Sequence, residues 1–193
     1  MKDKIKNQIL ENIEIHQKIL NTCINDIKLA ADLMISSVRK KKKILWCGNG
    51  GSAADAQHLS TELMGGMSSH NRKAISSIAL TTDTSFLTAW SNDTDFDSIF
   101  SRQIQGLGKK DDVLIAISTS GNSENIISAI KQAKYKGLNT IVFTGISDGK
   151  VNGMGDVTIK IPSDNTQRIQ EAHIMIGQIL CSLLEDDFND ING

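Results

Sequence analysis

A chain of 193 residues with 39% hydrophobic side chains can bury a core of its own, and its length suits one domain with added helices. Lys and Arg number 21 and Asp and Glu 22, so the net charge is −1, which argues against a dedicated nucleic-acid binder with its usual basic excess. No apolar run approaches the ~18 residues that span a bilayer, and the three cysteines, Cys23, Cys47 and Cys181, form neither a CxxC metal pair nor a disulfide framework.

The basic start, Met1 to Lys6, is followed by no apolar segment of signal-peptide type, so no signal peptide is expected and a reduced cytoplasm is the expected compartment. Two helices are predicted over the first forty residues. Ile9, Ile13, Ile15, Ile19 and Leu20 stripe the first, and Ile24, Ile27, Ala31, Met34 and Val38 stripe the second. Such a helical hairpin cannot bury both faces alone and must dock on the rest of the chain or on another subunit. The run Arg39 to Lys43 reads as the solvated, dipole-compatible end of the second helix.

From Ile44 short apolar runs alternate with helical stretches. Strands are predicted over 44–47, 76–80, 113–118, 140–144 and 157–161, and helices over 53–64, 96–107, 124–136 and 166–187. The stretch 145–156, with four glycines, reads as a loop. Asn165 or Thr166 caps the last helix. Apolar strands separated by helices predict an α/β fold, a parallel sheet covered on both faces. No low-complexity linker or solenoid repeat divides the chain, so residues 1–193 read as one domain, with helices over 1–40 and the core over 41–193.

The informative loops follow the first and third strands. One is Cys47-Gly48-Asn49-Gly50-Gly51-Ser52 and the other is Ser118-Thr119-Ser120-Gly121-Asn122-Ser123, and each opens a helix. Ligands of parallel sheets bind beyond the strands' carboxyl ends, where helix N-termini favour anions. Two such loops suit a phosphate held by hydroxyls and amides; the plainer alternative is a pair of capped turns. Gly48, Gly50 and Ala53 match the dinucleotide pattern, but the first acid after the next strand, Asp83, lies well beyond the ~20 residues expected for a ribose-binding acid. No Walker pattern is present. A small phosphorylated metabolite is expected, and no nucleotide cofactor.

The helix after the first loop carries Asp55, His58 and Glu62. His58 and Glu62 are four apart and share a face. They offer a general base, two metal ligands, or a solvated pair. On the last helix Gln170 and Gln178 fall within about 80° of each other and mark either a polar pocket or satisfied interface residues. Asn92-Asp93, in a loop before Phe96, suits sugar hydroxyls or a helix cap. Cys47 and Trp46 read as core.

These motifs, with Arg168-Ile169-Gln170-Glu171 after them, resemble in order the sugar isomerase (SIS) domain family, and within it the phosphoheptose isomerases of bacterial heptose synthesis. The resemblance spans nearly the whole chain. It implies a three-layer αβα sandwich with a five-stranded parallel sheet. It also implies a cytoplasmic homotetramer with active sites between subunits, residues 1–40 packing in the oligomer. The implied reaction converts sedoheptulose 7-phosphate to D-glycero-D-manno-heptose 7-phosphate, the first step toward ADP- or GDP-heptose for lipopolysaccharide or capsule, with no nucleic-acid or membrane partner. The phosphate is implied to bind Ser118, Thr119, Ser120 and Ser123. Asn49, Gly50, Gly51, Ser52, Asn92, Asp93 and Gln170 are implied to meet the sugar, and Glu62 to be the catalytic carboxylate. His58, Glu62 and Gln170 match three ligands of the family's zinc site. The fourth ligand, also the family's second catalytic residue, is a histidine whose place is taken here by Gln178, an amide that cannot titrate. The wider family also holds non-catalytic tetramers that associate with a replication initiator, and a sugar-phosphate sensor would keep the phosphate loop without a base; both remain alternatives.

Overall fold

The computed structural model describes residues 1–68 and 70–192. The described residues hold five strands, β1 (Ile44–Gly48), β2 (Ser77–Ala79), β3 (Val113–Ser118), β4 (Asn139–Thr144) and β5 (Val157–Lys160). All pair in parallel, in the order β2-β1-β3-β4-β5. The register sets Ile44 beside both Ser77 and Val113, and Ile141 beside Val157. Every residue of β1 and β3 is buried, which is why both read as unbroken apolar runs.

Successive side chains point to opposite faces of a strand, and here they feed two cores. Ile44, Trp46, Val113, Ile115, Ile117, Ile141 and Phe143 pack beneath α2 (Ile24–Arg39), α3 (Gly51–Gly65) and α7 (Thr166–Asn192). Leu45, Cys47, Leu114, Ala116 and Val142 pack beneath α5 (Ile99–Leu107) and α6 (Glu124–Tyr135). The result is the expected three-layer sandwich.

Both N-terminal helices are present. α1 (Lys2–Thr22) joins α2 through one residue, Cys23, across which backbone bonds from Cys23 N to Ile19 O and from Ile27 N to Cys23 O continue. Only the end of α1 is buried, through Ile15 and Ile19, while Ile5, Ile9, Leu10 and Ile13 stay exposed. Arg168 of α7 holds α1 in place by donating to Gln8 O at 2.9 Å, and Glu171 of the same helix accepts from it.

The helix expected over 96–107 is α5, which starts at Ile99, and exposed Phe96 separates it from α4 (Thr84–Asp93), a helix that the sequence reading does not predict. Asp83 starts α4 by accepting from Phe86 N, and Asp95 fixes the start of α5 by accepting from Ser98 N. No residue of α4 is fully buried, and its apolar face is limited to the half-buried Phe86, Leu87 and Trp90, too short a stripe to reveal it. Asn92 and Asp93 therefore end a helix rather than lying in a loop. The stretch over 145–156 is a loop apart from a single 3₁₀ turn, Gly149–Val151.

Candidate active site

The chain leaves β1 for β2 on one side and returns to β3 on the other, so the order reverses between the carboxyl ends of β1 and β3. Ligands of open parallel sheets bind at such a crevice. Both helices that begin there, α3 and α6, lack a side-chain cap. At α6 the first backbone bonds run from Ile126 and Ile127 to Ser123 O, which leaves the Glu124 and Asn125 N–H groups without a partner among the described residues. Free N–H groups and the helix dipole together suit an anion.

The hydroxyl loop lies at this end. Ser118 Oγ accepts from Gly121 N at 3.1 Å, and Ser120 Oγ accepts from Asn122 N at 3.2 Å. A hydroxyl that accepts a backbone bond still has its own proton to donate. Ser118 and Ser123 bring their oxygens within 3.5 Å. Ser118 is buried, Thr119 and Ser123 are half-buried, and Ser120 is exposed.

The structure ties this loop to the first one through a residue the sequence did not single out. Asn125 of α6 and Asn49 exchange two amide hydrogen bonds, each 2.9 Å. Asn125 is 2% exposed, so the pair is locked in a buried, satisfied arrangement. An asparagine in a helix carries no local signal of this role, because its partner lies 76 residues away.

The titratable groups meet where α3 crosses α7. A Cβ on Gly177 would lie 2.3 Å from Leu59 Cδ1, so the bare backbone lets the helices approach closely. The next residue of α7, Gln178, brings its Nε2 to 3.0 Å from His58 Nε2, beside Leu59 on α3. His58 Nε2 is also 3.0 Å from Glu62 Oε1. One ring nitrogen carries either a proton or a lone pair. It satisfies the carboxylate or the amide N–H, not both. A cation removes the conflict, since the imidazole lone pair, the carboxylate and the Gln178 amide oxygen, with the amide turned, are all suitable donors. Among the described residues no three His, Cys, Asp or Glu groups cluster, so such a site would draw on amides. Gln170 lies over the first loop instead: a Cβ on Gly51 would meet its Nε2 at 2.5 Å.

Burial pushes the Asp55 carboxyl up, against the pull of His58, and one of its oxygens is buried without a partner. His173 lies beneath the site, its imidazole pushed down to about 4 by burial despite a contact with Thr144 O. Cys47 and Cys181 are buried core thiols, and burial pushes Cys181 up to about 12. Trp46 is core too, donating to Ser77 Oγ at 2.9 Å. The far end of α3 is held by Arg72, which donates to Glu62 O and Leu63 O and pairs in a buried contact with Glu185 of α7. Asn92 and Asp93 stand apart from this cluster, exposed and bonded to each other at the end of α4.

Two linked anion-type loops at a switch point, with a carboxylate, an imidazole and an amide beside them, are the arrangement expected of a sugar-phosphate site. The sequence profile of the SIS domain matches residues 10–145. The chain belongs to the SIS domain family. This SIS chain is 48% identical to the phosphoheptose isomerase of Sulfurimonas denitrificans over 189 residues, 97% of this chain and 96% of the relative. The solved phosphoheptose isomerase of Neisseria gonorrhoeae superposes with a TM-score of 0.90 at 40% identity, covering 96% of this chain and 98% of the other. That of Francisella tularensis gives 0.92 at 36% identity, over 95% and 97%.

Proposed function

We propose that the chain is a phosphoheptose isomerase that converts sedoheptulose 7-phosphate to D-glycero-D-manno-heptose 7-phosphate in bacterial heptose synthesis. The observation that carries this reading is Glu62, a carboxylate held beside the crevice where the two linked loops meet, in a chain so similar to phosphoheptose isomerases over its full length. The substrate phosphate sits on Ser118, Thr119, Ser120 and Ser123, where hydroxyl protons and the free N–H groups of α6 point. Asn49, Gly50, Gly51, Ser52 and Gln170 face the sugar. Glu62 takes a proton from C1 of the ketose and returns it to C2 of the enediol while the O1 proton passes to O2, with the carbon proton transfer typically worth ~10²–10⁴-fold. Gln178 orients His58 and Glu62 and donates an N–H to a substrate oxygen, but it exchanges no proton.

The groups that would hold a zinc ion are His58 and Glu62, with Gln178 as an amide donor, whereas Gln170, expected as a ligand, lies over Gly51. A bound zinc would supply Lewis-acid polarisation of the substrate carbonyl. Asn92 and Asp93 would meet the sugar hydroxyls, and the exposed apolar face of α1 fits a cytoplasmic homotetramer with shared sites.

Purified protein is expected to turn over sedoheptulose 7-phosphate in an NMR assay, and Glu62→Gln to abolish that turnover while leaving the fold intact. Gln178→His is expected to raise zinc affinity, read by calorimetry, and to raise kcat by up to ~10²–10⁴. A wild type without turnover in the presence or absence of zinc, together with a silent Gln178→His, would reject the enzyme.

A further inference from the structure

Residues 145–151, between β4 and β5, lie against the hydroxyl loop and meet its residues 119 to 122. Gly145 N donates to Thr119 O at 3.1 Å, and Val151 N donates to Gly121 O at 3.0 Å. A Cβ on Gly149 would lie 2.5 Å from Ser120 O and 2.7 Å from Asn122 Oδ1, and one on Gly121 would run into Asp148 O. Backbone therefore packs on backbone from both sides. Asp148 sits at φ 57° and ψ −36° beneath a bond from Gly149 N to Ser147 O at 2.6 Å, the rare and strained form of γ-turn. Such a turn persists only where its surroundings hold it. Here Lys160 of β5 pairs with the Asp148 carboxylate.

One side chain joins the two segments. Asn122 Nδ2 donates to Ser120 O at 3.0 Å, while Asn122 Oδ1 accepts from Lys150 N at 3.1 Å. The backbone N of Asn122 donates to Ser120 Oγ at 3.2 Å. Lys150 also pairs through its ammonium with Glu124, the first residue of α6. An amide offers a donor and an acceptor at once, which an ionised carboxylate does not. Ser120 is thus held at its carbonyl and at its hydroxyl oxygen, and its hydroxyl proton is left to donate. Ser120 and Asn122 are exposed, so these bonds replace bonds to water and add little net stability. What they set is the direction of the Ser120 hydroxyl.

We propose that Asn122 is a positioning residue of the phosphate site: it docks residues 145–151 on the hydroxyl loop and aims the Ser120 hydroxyl at the substrate phosphate. The inference rests on the reading of that loop as the phosphate site. Asn122 acts through Ser120 and touches no reacting atom, so its effect falls on phosphate affinity and not on the proton transfer at Glu62.

The test is calorimetry on the full chain with inorganic phosphate and with sedoheptulose 7-phosphate, beside the kinetics of the isomerisation. Asn122→Ala is expected to weaken both ligands about tenfold, the scale of one hydrogen bond to a charged group. KM should rise by the same factor with kcat within about twofold of wild type. Asn122 is exposed, so the variant keeps its fold, and the melting temperature is read as a control. Ser120→Ala should weaken phosphate to a similar extent. Adding Asn122→Ala to it should cost no more than about twofold further, because a residue that acts through Ser120 then has nothing to aim. The calorimetric arm needs no turnover. A wild type that binds neither ligand would overturn the phosphate-loop reading and this inference with it. A wild type that binds, with affinity unchanged in Asn122→Ala or with fully additive losses in the double variant, would overturn this inference alone. A fall in kcat at unchanged KM would do the same.

Discussion

Gly177→Ala tests whether the close approach of α3 and α7 builds the site. The added Cβ would lie 2.3, 2.7 and 3.1 Å from Leu59 Cδ1, Cδ2 and Cγ. Leu59 is fully buried, and the clash extends past its methyl tips to Cγ, so a simple rotation does not relieve it. Overpacking of this kind costs ~1–3 kcal/mol. Alanine in place of a helical glycine returns ~1 kcal/mol of propensity. The net expectation is a loss of ~0–2 kcal/mol in urea unfolding. Leu59→Ala alone should cost ~2–5 kcal/mol by leaving a cavity. In that background the same Gly177→Ala meets no clash and should stabilise by ~1 kcal/mol. The sign reversal isolates the contact in a double-mutant cycle. Turnover should follow: the single Gly177→Ala moves Gln178 off its 3.0 Å contact with His58 and lowers kcat, and the double variant exceeds Leu59→Ala in stability without a further loss of activity. A Gly177→Ala protein that melts higher than wild type with unchanged turnover would refute the reasoning.

Asn125→Leu should cost ~1–3 kcal/mol, because it strands the half-buried amide of Asn49, and it should weaken sugar-phosphate binding as the two loops part; calorimetry and urea unfolding that both match wild type would count against the lock. Acid should unmask His173: its imidazole stays neutral in the fold down to about 4, while the unfolded chain takes up a proton below ~6.5. The stability that this residue contributes is thus complete above ~6.5 and is lost as pH falls toward 4, by up to ~3 kcal/mol. His173→Leu should flatten that part of the stability profile, and an unchanged slope between pH 7 and 4.5 would show that the buried ring is not its source.

What the sequence displays and what it hides divides along one physical line. β1 and β3 are buried on both faces, so burial writes itself into adjacent residues as an apolar run, and the two polar loops stand out as the interruptions. α4 buries no residue fully and packs only Leu87 and Trp90 partly against the core, so no long period marks it, and its residues Asn92 and Asp93 read as a loop. The site's pairings are harder still, because each joins residues far apart: Asn49 with Asn125, Arg72 with Glu185, and His58 with Gln178 across 120 positions. Helical spacing placed Gln170 and Gln178 on one face of α7, and that much is local geometry. It did not separate them in role, and the structure puts one over Gly51 and the other against His58. How near α7 comes to α3 is decided at Gly177, a residue with no side chain. In a sequence, a glycine within a helix reads only as a weak position. It becomes the residue that positions Gln178 once Leu59 is known to face it, and that knowledge belongs to the fold.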